Sequence, residues 1–361
     1  MNVAIACGGT GGHLFPGIAV AEVLQQRGHE VMLLVSEKEV DATAVRGRSE
    51  FRVERIPAIG LSRRFSPELP RFALKAVKGF WRCQRLYRHF RPEAVLGMGG
   101  FTSTAPILAG RLRGSPTFVH EANAIPGKAN RLNARLAKRV LLGFEDCRRF
   151  FPHARVEVTG TPVRASLRTE VDRNAALRRF DLRTDHRTVL VMGGSQGAHG
   201  VNLATLGTLP RFAQRPVQFI HLAGPRDQNM VSEGYRDAGI PAFVGAFYDR
   251  MEEVYRAADL AISRAGAASL TELSYFGVPS VLIPYPYAAE NHQFFNAEIF
   301  ARQGAAEVIE EARVTKDTLG SLIDRLLADD ARRKQMAARM RALAPQDSAE
   351  RIARLIEASV K

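Results

Sequence analysis

The chain has 361 residues, which is longer than one hydrophobic core comfortably supports and long enough for two domains of ordinary size. Its composition, 46% hydrophobic and 24% charged, is typical of a globular protein, and no run approaches the ~20 apolar residues that a membrane span requires. The net charge of +14 is concentrated in residues 1–163, where 25 Lys and Arg outnumber 13 Asp and Glu, so this half predicts an anionic partner such as nucleic acid, phospholipid or an acidic substrate.

Short apolar runs alternate with helical patterns along the chain, and this alternation is typical of parallel α/β sheets. The predicted strands of the first half are residues 3–7, 31–35, 52–56, 94–98, 117–120, 139–142 and 156–159. Those of the second half are residues 188–192, 218–222, 242–245, 260–263, 280–283 and 306–309. Each half therefore predicts a parallel sheet of its own.

The boundary between the halves is predicted at residues 160–164, where glycine and proline break both periodicities. Beyond Asp317 the pattern is helical to the end, and Pro345 divides it into two pieces. We expect domains of residues 1–163 and 164–344, with a last helix of about residues 345–361 returning to the first domain. Cys7, Cys83 and Cys147 lack the spacing of a metal or redox motif, so we expect reduced thiols.

Two glycine-rich loops of the same design, residues 8–13 and 193–198, each follow an apolar run and precede a helical pattern. This order predicts a strand, a sharp turn and a helix whose first N–H groups can hold an anion. Two such units predict two Rossmann-like domains that face each other across a cleft and bind phosphate. The first loop lacks the third glycine of the dinucleotide fingerprint and a Gly-Lys-Ser/Thr ending, which disfavours NAD and a P-loop NTPase.

Two residues suggest chemistry, one in the first loop and one in a third segment, residues 263–272. His13 is predicted on a solvent-facing loop at the entrance of the first helix, where an imidazole that titrates near neutrality can act as a general base. Its alternative role is to donate to a carbonyl and hold the turn. Glu272 is predicted on the first turn of a helix, where it could accept both hydroxyls of a ribose or simply complement the helix dipole.

The segment of residues 55–91 contains ten Lys and Arg but only one acid, Glu68. From Leu69 it predicts a helix with apolar surface beside a stripe of cations, and helical spacing aligns Arg71, Lys75, Lys78, Arg82 and Arg85. Such a helix can lie on an anionic membrane, with Phe72, Phe80 and Trp81 among the contacting residues. An ordinary surface helix whose aromatic residues face the core is the alternative.

Six motifs, taken together, resemble one family. They are GGTGGHLFPGIAVA at the N-terminus, GMGGF at 97–101, HEANAIPGKAN at 120–130, TGTPVR at 159–164, GGSQGA at 193–198, and SRAGAASLTE with NHQ. In this order they are similar to the MurG family of peptidoglycan N-acetylglucosaminyltransferases, which convert lipid I to lipid II. The resemblance extends to about residue 300 and implies a GT-B fold, with the donor bound mainly by the C-terminal domain and the acceptor by the N-terminal one.

The resemblance also implies roles for single residues. The donor sugar is expected to contact Asn123, through its GlcNAc hydroxyls, and Gln293, while Thr10, Gly11 and Gly12 contact the sugar and phosphates. The pyrophosphate is expected to contact Arg164 and Ser195. The uridine ribose and adjoining groups are expected to contact Ala267, Ala268, Ser269, Leu270, Thr271 and Glu272, with Tyr248 near the uracil. Tyr248 stands where some relatives have an aliphatic residue. Phe101 stands where the family often has Tyr, which removes a hydroxyl from the acceptor side.

The mechanism expected from this resemblance is an inverting transfer of GlcNAc from UDP-GlcNAc to the C4 hydroxyl of MurNAc in lipid I. His13 is the predicted base, and Glu121 is a second candidate whose alternative is a buried structural ion pair. No metal and no cofactor are expected, because no Asp-x-Asp pair lies near the predicted donor site. The expected location is the cytoplasmic face of the bacterial inner membrane, with an anionic membrane surface and other cell-wall synthesis proteins as partners and no nucleic acid.

Three alternatives remain open at this point. A UDP-GlcNAc 2-epimerase would share the scaffold and the donor but would need no lipid acceptor. A glycosyltransferase acting on another lipid is the nearest enzymatic alternative. A non-enzymatic protein that binds nucleic acid or membrane would explain the cationic first half, but it would not explain nucleotide-type motifs in the second.

Overall fold

The computed structural model describes residues 1–37, 50–57, 69–194 and 196–360, with only the backbone described for residues 69–73. The chain divides into two compact units, Met1–Arg164 with Pro345–Lys361, and Ala165–Ala344. Arg164, which the sequence pattern assigned to the second domain, therefore lies in the first unit. The C-terminal residues from Pro345 onward return to the first unit because the chain leaves the last helix of the second unit at this proline.

The first unit contains a parallel sheet in the order β3-β2-β1-β4-β5-β6-β7. Its strands are β1 (Asn2–Ala6), β2 (Glu30–Ser36), β3 (Arg52–Ile56), β4 (Ala94–Gly97), β5 (Thr117–Glu121), β6 (Arg139–Leu142) and β7 (Val156–Val158). The central strand β1 pairs with β2 on one side and β4 on the other, with Val3 opposite Val31 and Ala94. The order reverses beside β1, and in such sheets this switch point is where ligands bind.

Helices cover both faces of this sheet. They are α1 (Gly11–Gln26), α2 (Leu69–Phe90), α3 (Thr104–Leu112), α4 (Lys128–Asn133) and the C-terminal helix (Ser348–Val360), with short 3₁₀ helices at Phe101–Ser103 and Glu145–Phe150. Ile5 of β1 and Ile18 of α1 are buried in one core cluster with Ile352 of the C-terminal helix. On the opposite face, Ala4 packs in a second cluster with Tyr87 of α2.

The C-terminal helix is tied to α1 by charge as well as by apolar packing. Arg27, which caps α1, forms ion pairs with Glu350 and Glu357, the latter at 2.8 Å. His29 Nε2 lies 2.8 Å from the other oxygen of Glu357. The last helix therefore completes the hydrophobic core of the first unit although it is remote in sequence.

The second unit contains a parallel sheet in the order β10-β9-β8-β11-β12-β13. Its strands are β8 (Arg187–Met192), β9 (Val217–Leu222), β10 (Ala242–Gly245), β11 (Leu260–Ser263), β12 (Ser280–Leu282) and β13 (Ala306–Val308). Its helices are α5 (Arg173–Arg179), α6 (His199–Thr208), α7 (Gln228–Asp237), α8 (Met251–Ala257), α9 (Ala267–Phe276), α10 (His292–Arg302), α11 (Lys316–Ala328) and α12 (Asp330–Leu343), with 3₁₀ helices at Ala165–Arg168, Leu209–Arg211, Ala289–Asn291 and Glu311–Arg313. Buried apolar residues from β8, β9 and β11 form its core, with Val191, Phe219 and Ile262 fully inaccessible.

The α/β fold class with two parallel Rossmann-like sheets is confirmed, and each predicted strand is present with ends that differ by at most one residue. The three cysteines are free thiols and are buried. Among the helices of the described ranges, none has the length and apolar character that a membrane crossing requires.

Candidate functional site

Three loops meet at one edge of the first unit's sheet, because β1, β4 and β5 are adjacent and their carboxyl ends point the same way. His13 lies at the start of α1, just after β1, Gly99 lies on the loop after β4, and Asn130 lies in α4, which follows β5. A Cβ atom on Gly99 would lie 2.9 Å from His13 Nε2 and 3.2 Å from Asn130 Nδ2, so these three residues are immediate neighbours.

His13 lies in the first turn of α1 and is half-buried, so its prediction on a solvent-facing loop is wrong. The helix begins at Gly11, inside the predicted loop of residues 8–13: Thr10 in extended conformation is its N-cap, and the Thr10 carbonyl accepts from the N–H of His13 at 3.1 Å. Thr10 Oγ1 lies 3.3 Å from His13 Nδ1, which orients the ring. The first N–H groups of α1, at Gly11 and Gly12, precede the first intrahelical bond and are available to an anion.

The carboxylate of Glu121 is buried and is held by four N–H groups. One oxygen accepts from the backbone N–H and side-chain amide of Asn123, and the other from Gly127 N and Asn130 Nδ2, at 2.9–3.1 Å. Burial raises the pKa of Glu121, while these donors oppose the rise. Across the described residues no cation pairs with it, so the alternative of a structural ion pair is wrong and an amide cluster takes its place.

Asn130 is a site residue that the sequence analysis did not single out, although it ends the HEANAIPGKAN motif. Its amide donates to both the carbonyl of His120 and the carboxylate of Glu121. His120 itself is buried and donates from Nε2 to the carbonyl of Gly160 at 3.0 Å. Burial lowers the pKa of His120 to about 4, so its ring is neutral near pH 7 and serves the loop structure.

Arg164 lies beside the start of α1 through a cation–π contact. Its guanidinium carbon lies 4.2 Å from the ring centroid of Phe15, and a Cβ atom on Gly11 would lie 3.3 Å from the same ring. The stacking fixes a positive charge close to the N–H groups of the first glycine loop. This is a suitable environment for a phosphate, and the predicted pyrophosphate contact of Arg164 stays a prediction.

The second glycine loop connects β8 to α6. Ser195 lies outside the described residues. Gly197 has φ +75°, and a Cβ atom there would lie 2.1 Å from the carbonyl O of Ala223, so only glycine fits. The loop therefore packs closely against the end of β9. Such packing fixes the backbone of the loop, which a ligand site built from backbone N–H groups needs.

The N-terminus of α9 is the other predicted donor site of the second unit. Ala267, Ala268 and Ser269 form its first turn, so their N–H groups precede the first bond of the helix, from Leu270 N to Gly266 O. The side chains of Leu270 and Thr271 are buried, and the Thr271 hydroxyl donates back to the Ala267 carbonyl. The buried side chains of Leu270 and Thr271 are therefore not offered to a ligand, whereas the backbone N–H groups of the first turn are.

Glu272 is the sixth residue of α9 and lies on its second turn, so its predicted place on the first turn is wrong. It is half-buried, and its Oε2 accepts from Tyr255 Oη at 2.7 Å. A carboxylate in the second turn has little effect on the helix dipole, which acts within the first turn. The simple dipole role is thus weakened, and the ribose contact stays a prediction.

Gln293 joins two loops at the carboxyl edge of the second sheet. Its Oε1 accepts from Ala265 N at 3.1 Å and from Tyr285 N at 3.0 Å. Arg264, which the sequence analysis did not single out, is buried beside it and donates to the carbonyls of Ile283 and Pro284. The loop that holds the N-terminus of α9 is therefore fixed by side chains from several elements.

The side chain of Tyr248 packs against, and hydrogen-bonds to, other residues of the second unit. Its ring packs against Phe180 and Phe243 with centroids 5.0 and 5.7 Å apart, and its hydroxyl donates to Glu253 at 2.6 Å. Burial, with Glu253 acting in the same direction, raises the pKa of Tyr248 to about 12. The predicted uracil contact near Tyr248 stays a prediction, and Phe247, 49% exposed, is the neighbouring aromatic surface.

Helix α2 exposes an apolar stripe. Leu74, Val77 and Trp81 are 54%, 54% and 64% exposed and lie on one face of the helix, at spacings of three and four. Phe80, in contrast, is half-buried against the core and contacts the Trp81 ring edge-on, with centroids 5.7 Å apart. Of the predicted contact residues, Phe80 thus supports the helix rather than forming its outer surface.

The cations around this apolar stripe differ in exposure and in pairing. Lys78, Arg82 and Arg85 are exposed and Lys75 is half-buried. Arg82 pairs with Glu54 of β3 at 3.1 Å. The side chain of Phe72, like that of Arg71, lies outside the described residues. The membrane contact of this surface stays a prediction.

Two family descriptions match this chain. The Glycosyltransferase family 28 N-terminal domain matches residues 3–142, and the Glycosyltransferase family 28 C-terminal domain matches residues 188–352. A curated relative from Geobacter metallireducens is 38% identical over 355 residues, which cover 97% of this chain and 96% of that protein. A relative from Geobacter sulfurreducens is 37% identical and covers 100% and 99%. Both are named UDP-N-acetylglucosamine--N-acetylmuramyl-(pentapeptide) pyrophosphoryl-undecaprenol N-acetylglucosamine transferase.

Solved structures agree with this assignment. The crystal structure of Acinetobacter baumannii MurG is 27% identical, with a TM-score of 0.76 and coverage of 99% of this chain and 100% of that chain. UDP-GlcNAc 2-epimerase from Neisseria meningitidis, bound to UDP-GlcNAc, has a TM-score of 0.70 and covers 99% and 100%, but at 14% identity it shares the fold alone. The expected GT-B fold class is confirmed. The two domain matches and the nearly full-length relatives together establish that this chain belongs to glycosyltransferase family 28, and within it to the MurG family.

Proposed function

We propose that this protein is an N-acetylglucosaminyltransferase that transfers GlcNAc from UDP-GlcNAc to the C4 hydroxyl of MurNAc in undecaprenyl-pyrophosphoryl-MurNAc-pentapeptide. The relatives that carry this activity in their names extend over nearly the whole chain, and this is the observation that carries the proposal. The cluster of His13, Gly99 and Asn130 at the switch point of the first sheet supplies a base where acceptor chemistry needs one.

The proposed reaction is an inverting displacement. The imidazole of His13 takes the proton of the C4 hydroxyl as that oxygen attacks C1 of the α-linked GlcNAc. The new bond is β-1,4, the bond from C1 to the UDP oxygen breaks, and the electron pair leaves with UDP. The contact of His13 with Thr10 supports this role, because it fixes the ring of a half-buried residue at the start of a helix.

Glu121 has a different role in this proposal. Both of its oxygens already accept two N–H donors each, so removal of a substrate proton would compete with four existing bonds. We assign Glu121 to holding Asn123 and Asn130 in position. Asn123 is half-buried beside this carboxylate and is thereby oriented for the GlcNAc hydroxyls that the family resemblance gives it.

The leaving UDP is proposed to be stabilised by charge and by helix N-termini. In the second unit, the glycine loop before α6 and the first turn of α9 offer backbone N–H groups, with Ser195 and Gln293 as implied contacts. In the first unit, Arg164 and the N–H groups of Gly11 and Gly12 provide the same kind of environment. No metal is part of this scheme, in which backbone N–H donors and a cation stabilise the charge of the leaving group.

The membrane association of this enzyme is also proposed here. The acceptor carries an undecaprenyl chain that stays in the bilayer, so only its pyrophosphate and sugar can enter the protein. The exposed apolar stripe of Leu74, Val77 and Trp81 with the adjacent cations Lys78 and Arg85 supports docking on an anionic membrane. We propose the cytoplasmic face of the inner membrane, where UDP-GlcNAc is available.

The experiment that tests the proposal mixes the purified protein with radiolabelled UDP-GlcNAc and a short-chain lipid I. Transfer of label into a β-1,4-linked disaccharide, dependent on the acceptor, is the expected result. Formation of UDP-ManNAc without acceptor would replace the proposal with a 2-epimerase. Transfer to another polyprenyl sugar but not to lipid I would identify a different acceptor.

A further inference from the structure

We infer that Glu311, in the 3₁₀ helix after β13, is a positioning residue for the donor nucleotide, acting through Arg264 on the N-terminus of α9. The inference rests on the proposed function, in which α9 binds the uridine part of the donor. Glu311 lies outside every motif that the sequence analysis identified.

Arg264 connects three strand ends at the carboxyl edge of the second sheet. It directly follows β11, and its N–H donates to the carbonyl of Met192, the last residue of β8 before the glycine loop, at 3.3 Å. Its guanidinium donates to the carbonyls of Ile283 and Pro284, just after β12, at 3.1 and 3.2 Å. The next residues along the chain lead directly into the first turn of α9.

Glu311 supplies the charge that keeps this guanidinium in place. Its two oxygens accept from Arg264 at 2.9 and 3.0 Å in a bidentate pair. The Arg264 side chain is only 9% exposed, and among the described residues Glu311 is its ion-pair partner, so without Glu311 a largely buried cation would lose its counter-charge. Such a side chain moves toward water, and the carbonyls of Ile283 and Pro284 then lose their donor.

The consequence reaches the donor site through Gln293. Its Oε1 accepts from Ala265 on the α9 side and from Tyr285 on the β12 side, so it depends on both loops keeping their spacing. Arg264 sets that spacing by holding the carbonyls next to Tyr285. Loss of Glu311 should therefore loosen the first turn of α9 while leaving the core of the unit intact.

Gly200 of α6 gives an independent means of displacing the same carboxylate. A Cβ atom on Gly200 would lie 2.1 Å from Glu311 Oε1. Gly200 has an ordinary helical backbone, and a cavity of 390 Å³ borders both residues, so the carboxylate has room to move away. Gly200→Ala should thus break the bidentate pair and leave α6 helical.

The kinetic test compares Glu311→Ala, Glu311→Gln and Gly200→Ala with the wild type. We expect Glu311→Ala to raise the KM for UDP-GlcNAc and the Kd for UDP about tenfold, with kcat and the acceptor KM within about twofold. Glu311→Gln keeps one acceptor oxygen, so its KM for UDP-GlcNAc should lie between those of the wild type and Glu311→Ala. Asp324→Asn is the matched control. Asp324 lies on α11 and pairs with Arg211 and Arg215, which are not part of the donor loops, so the donor KM of this variant should stay at the wild-type value.

A double-mutant cycle makes the assignment specific. Gly200→Ala should raise the donor KM in the wild type but add nothing in the Glu311→Ala background, because the pair is already broken. Additive effects would overturn the inference, as would a donor KM for Glu311→Ala no different from that of Asp324→Asn.

Hydrogen exchange without nucleotide separates this inference from the proposed function. The amides of Ala265 and Tyr285 should exchange faster in Glu311→Ala than in Asp324→Asn or the wild type. A wild type that neither binds UDP nor transfers GlcNAc would refute the proposed function and with it the donor role. Unchanged exchange at these two amides would refute the hold of Glu311 on the loops, whatever the activity.

Discussion

A Cβ atom on Gly99 would lie 2.9 Å from Nε2 of His13, and Gly99 has φ +120°, so this position tolerates no side chain. We predict that Gly99→Ala pushes the imidazole from its place and lowers kcat about 10²-fold or more, because misplacement by about 1 Å has effects of that size. Steady-state kinetics with the short-chain lipid I measure it. Backbone strain adds a loss of stability of about 1–3 kcal/mol.

Gly114→Ala is the matched control for this prediction. Gly114 also has positive φ, at +81°, but a Cβ atom there would meet nothing within 4 Å. It should therefore lower the melting temperature in a similar way and leave kcat unchanged. Equal kcat values for the two variants would contradict the placement of His13 at the reacting oxygen.

The role of His13 is tested directly by His13→Ala. We expect kcat to fall by about 10²–10⁴-fold, which is typical for the loss of a general base, with the Kd for UDP-GlcNAc little changed. Glu121→Gln provides a comparison, because it places an amide NH₂ among four N–H donors and should lower stability as well as kcat. A near wild-type rate for a folded His13→Ala would reduce His13 to a residue that holds the turn.

The central strands were predictable because each is a short, mostly buried run bounded by polar or glycine residues, as in residues 188–192. The edge strands β3, β7, β10 and β13 are only partly buried. A parallel sheet covered on both faces imposes this pattern locally, so neighbouring sequence is sufficient. The glycine loops were predictable for a similar reason, since Gly197 is required by contacts with the adjacent strand end.

The side-chain arrangement of the site was less accessible to sequence. Glu272 lies one turn further into its helix than expected, because the helix already begins at Ala267, directly after Gly266. Glu121 faces amides rather than a cation, because the loop that follows β5 folds back and brings its N–H groups to the carboxylate. The pair of Arg264 and Glu311 joins residues 47 positions apart, and no local pattern encodes such a partner.

Glu272→Ala is predicted to weaken UDP and UDP-GlcNAc equally, because the proposed contact is with the ribose. The loss of a charged hydrogen bond costs about 1.5–3 kcal/mol, or roughly 10- to 150-fold in Kd by titration calorimetry. Tyr255→Phe should give a smaller effect, since it removes only the donor that orients the carboxylate. Unchanged UDP affinity in a folded Glu272→Ala protein would exclude the ribose contact.

Acid should destabilise the second unit through His221. This residue donates from Nε2 to Asn202 and accepts from Tyr235 in the core, and burial lowers its pKa to about 3. Below the ordinary pKa of 6.5 the unfolded chain takes up a proton that the folded chain excludes, so stability falls as the pH falls from 6.5 toward 3, by about 1.4 kcal/mol per unit.

The comparison with His221→Gln isolates this effect in melting temperatures measured between pH 7 and pH 4. The wild type should lose its advantage over the variant as the pH falls, because glutamine does not titrate. His120, whose pKa is also lowered by burial, acts equally in both proteins. Parallel curves for the two proteins would show that His221 makes no contribution to the acid response.

Membrane docking is predicted to need both the charge and the apolar surface of α2. Lys78→Glu with Arg85→Glu should weaken binding to anionic vesicles about 30-fold or more, since each basic residue near the surface contributes about 1 kcal/mol. Arg82 is left unchanged, because its pair with Glu54 would make a reversal repulsive within the protein. Sedimentation with vesicles at several salt concentrations measures the effect, which should weaken in the wild type as salt rises.

The apolar part is tested by Trp81→Ser, which should weaken vesicle binding at all salt concentrations, because the apolar contribution of Trp81 does not depend on charge. Trp81 is 64% exposed, so its replacement should change the stability of the free protein little. Arg178→Glu with Lys334→Glu is the control, since it reverses two exposed cations of the second unit and should leave vesicle binding largely unchanged. All α2 variants should keep wild-type activity on a water-soluble acceptor and lose it on lipid I in vesicles. Vesicle binding that survives both the charge reversal and Trp81→Ser would contradict the docking role of α2 and show that it is an ordinary surface helix.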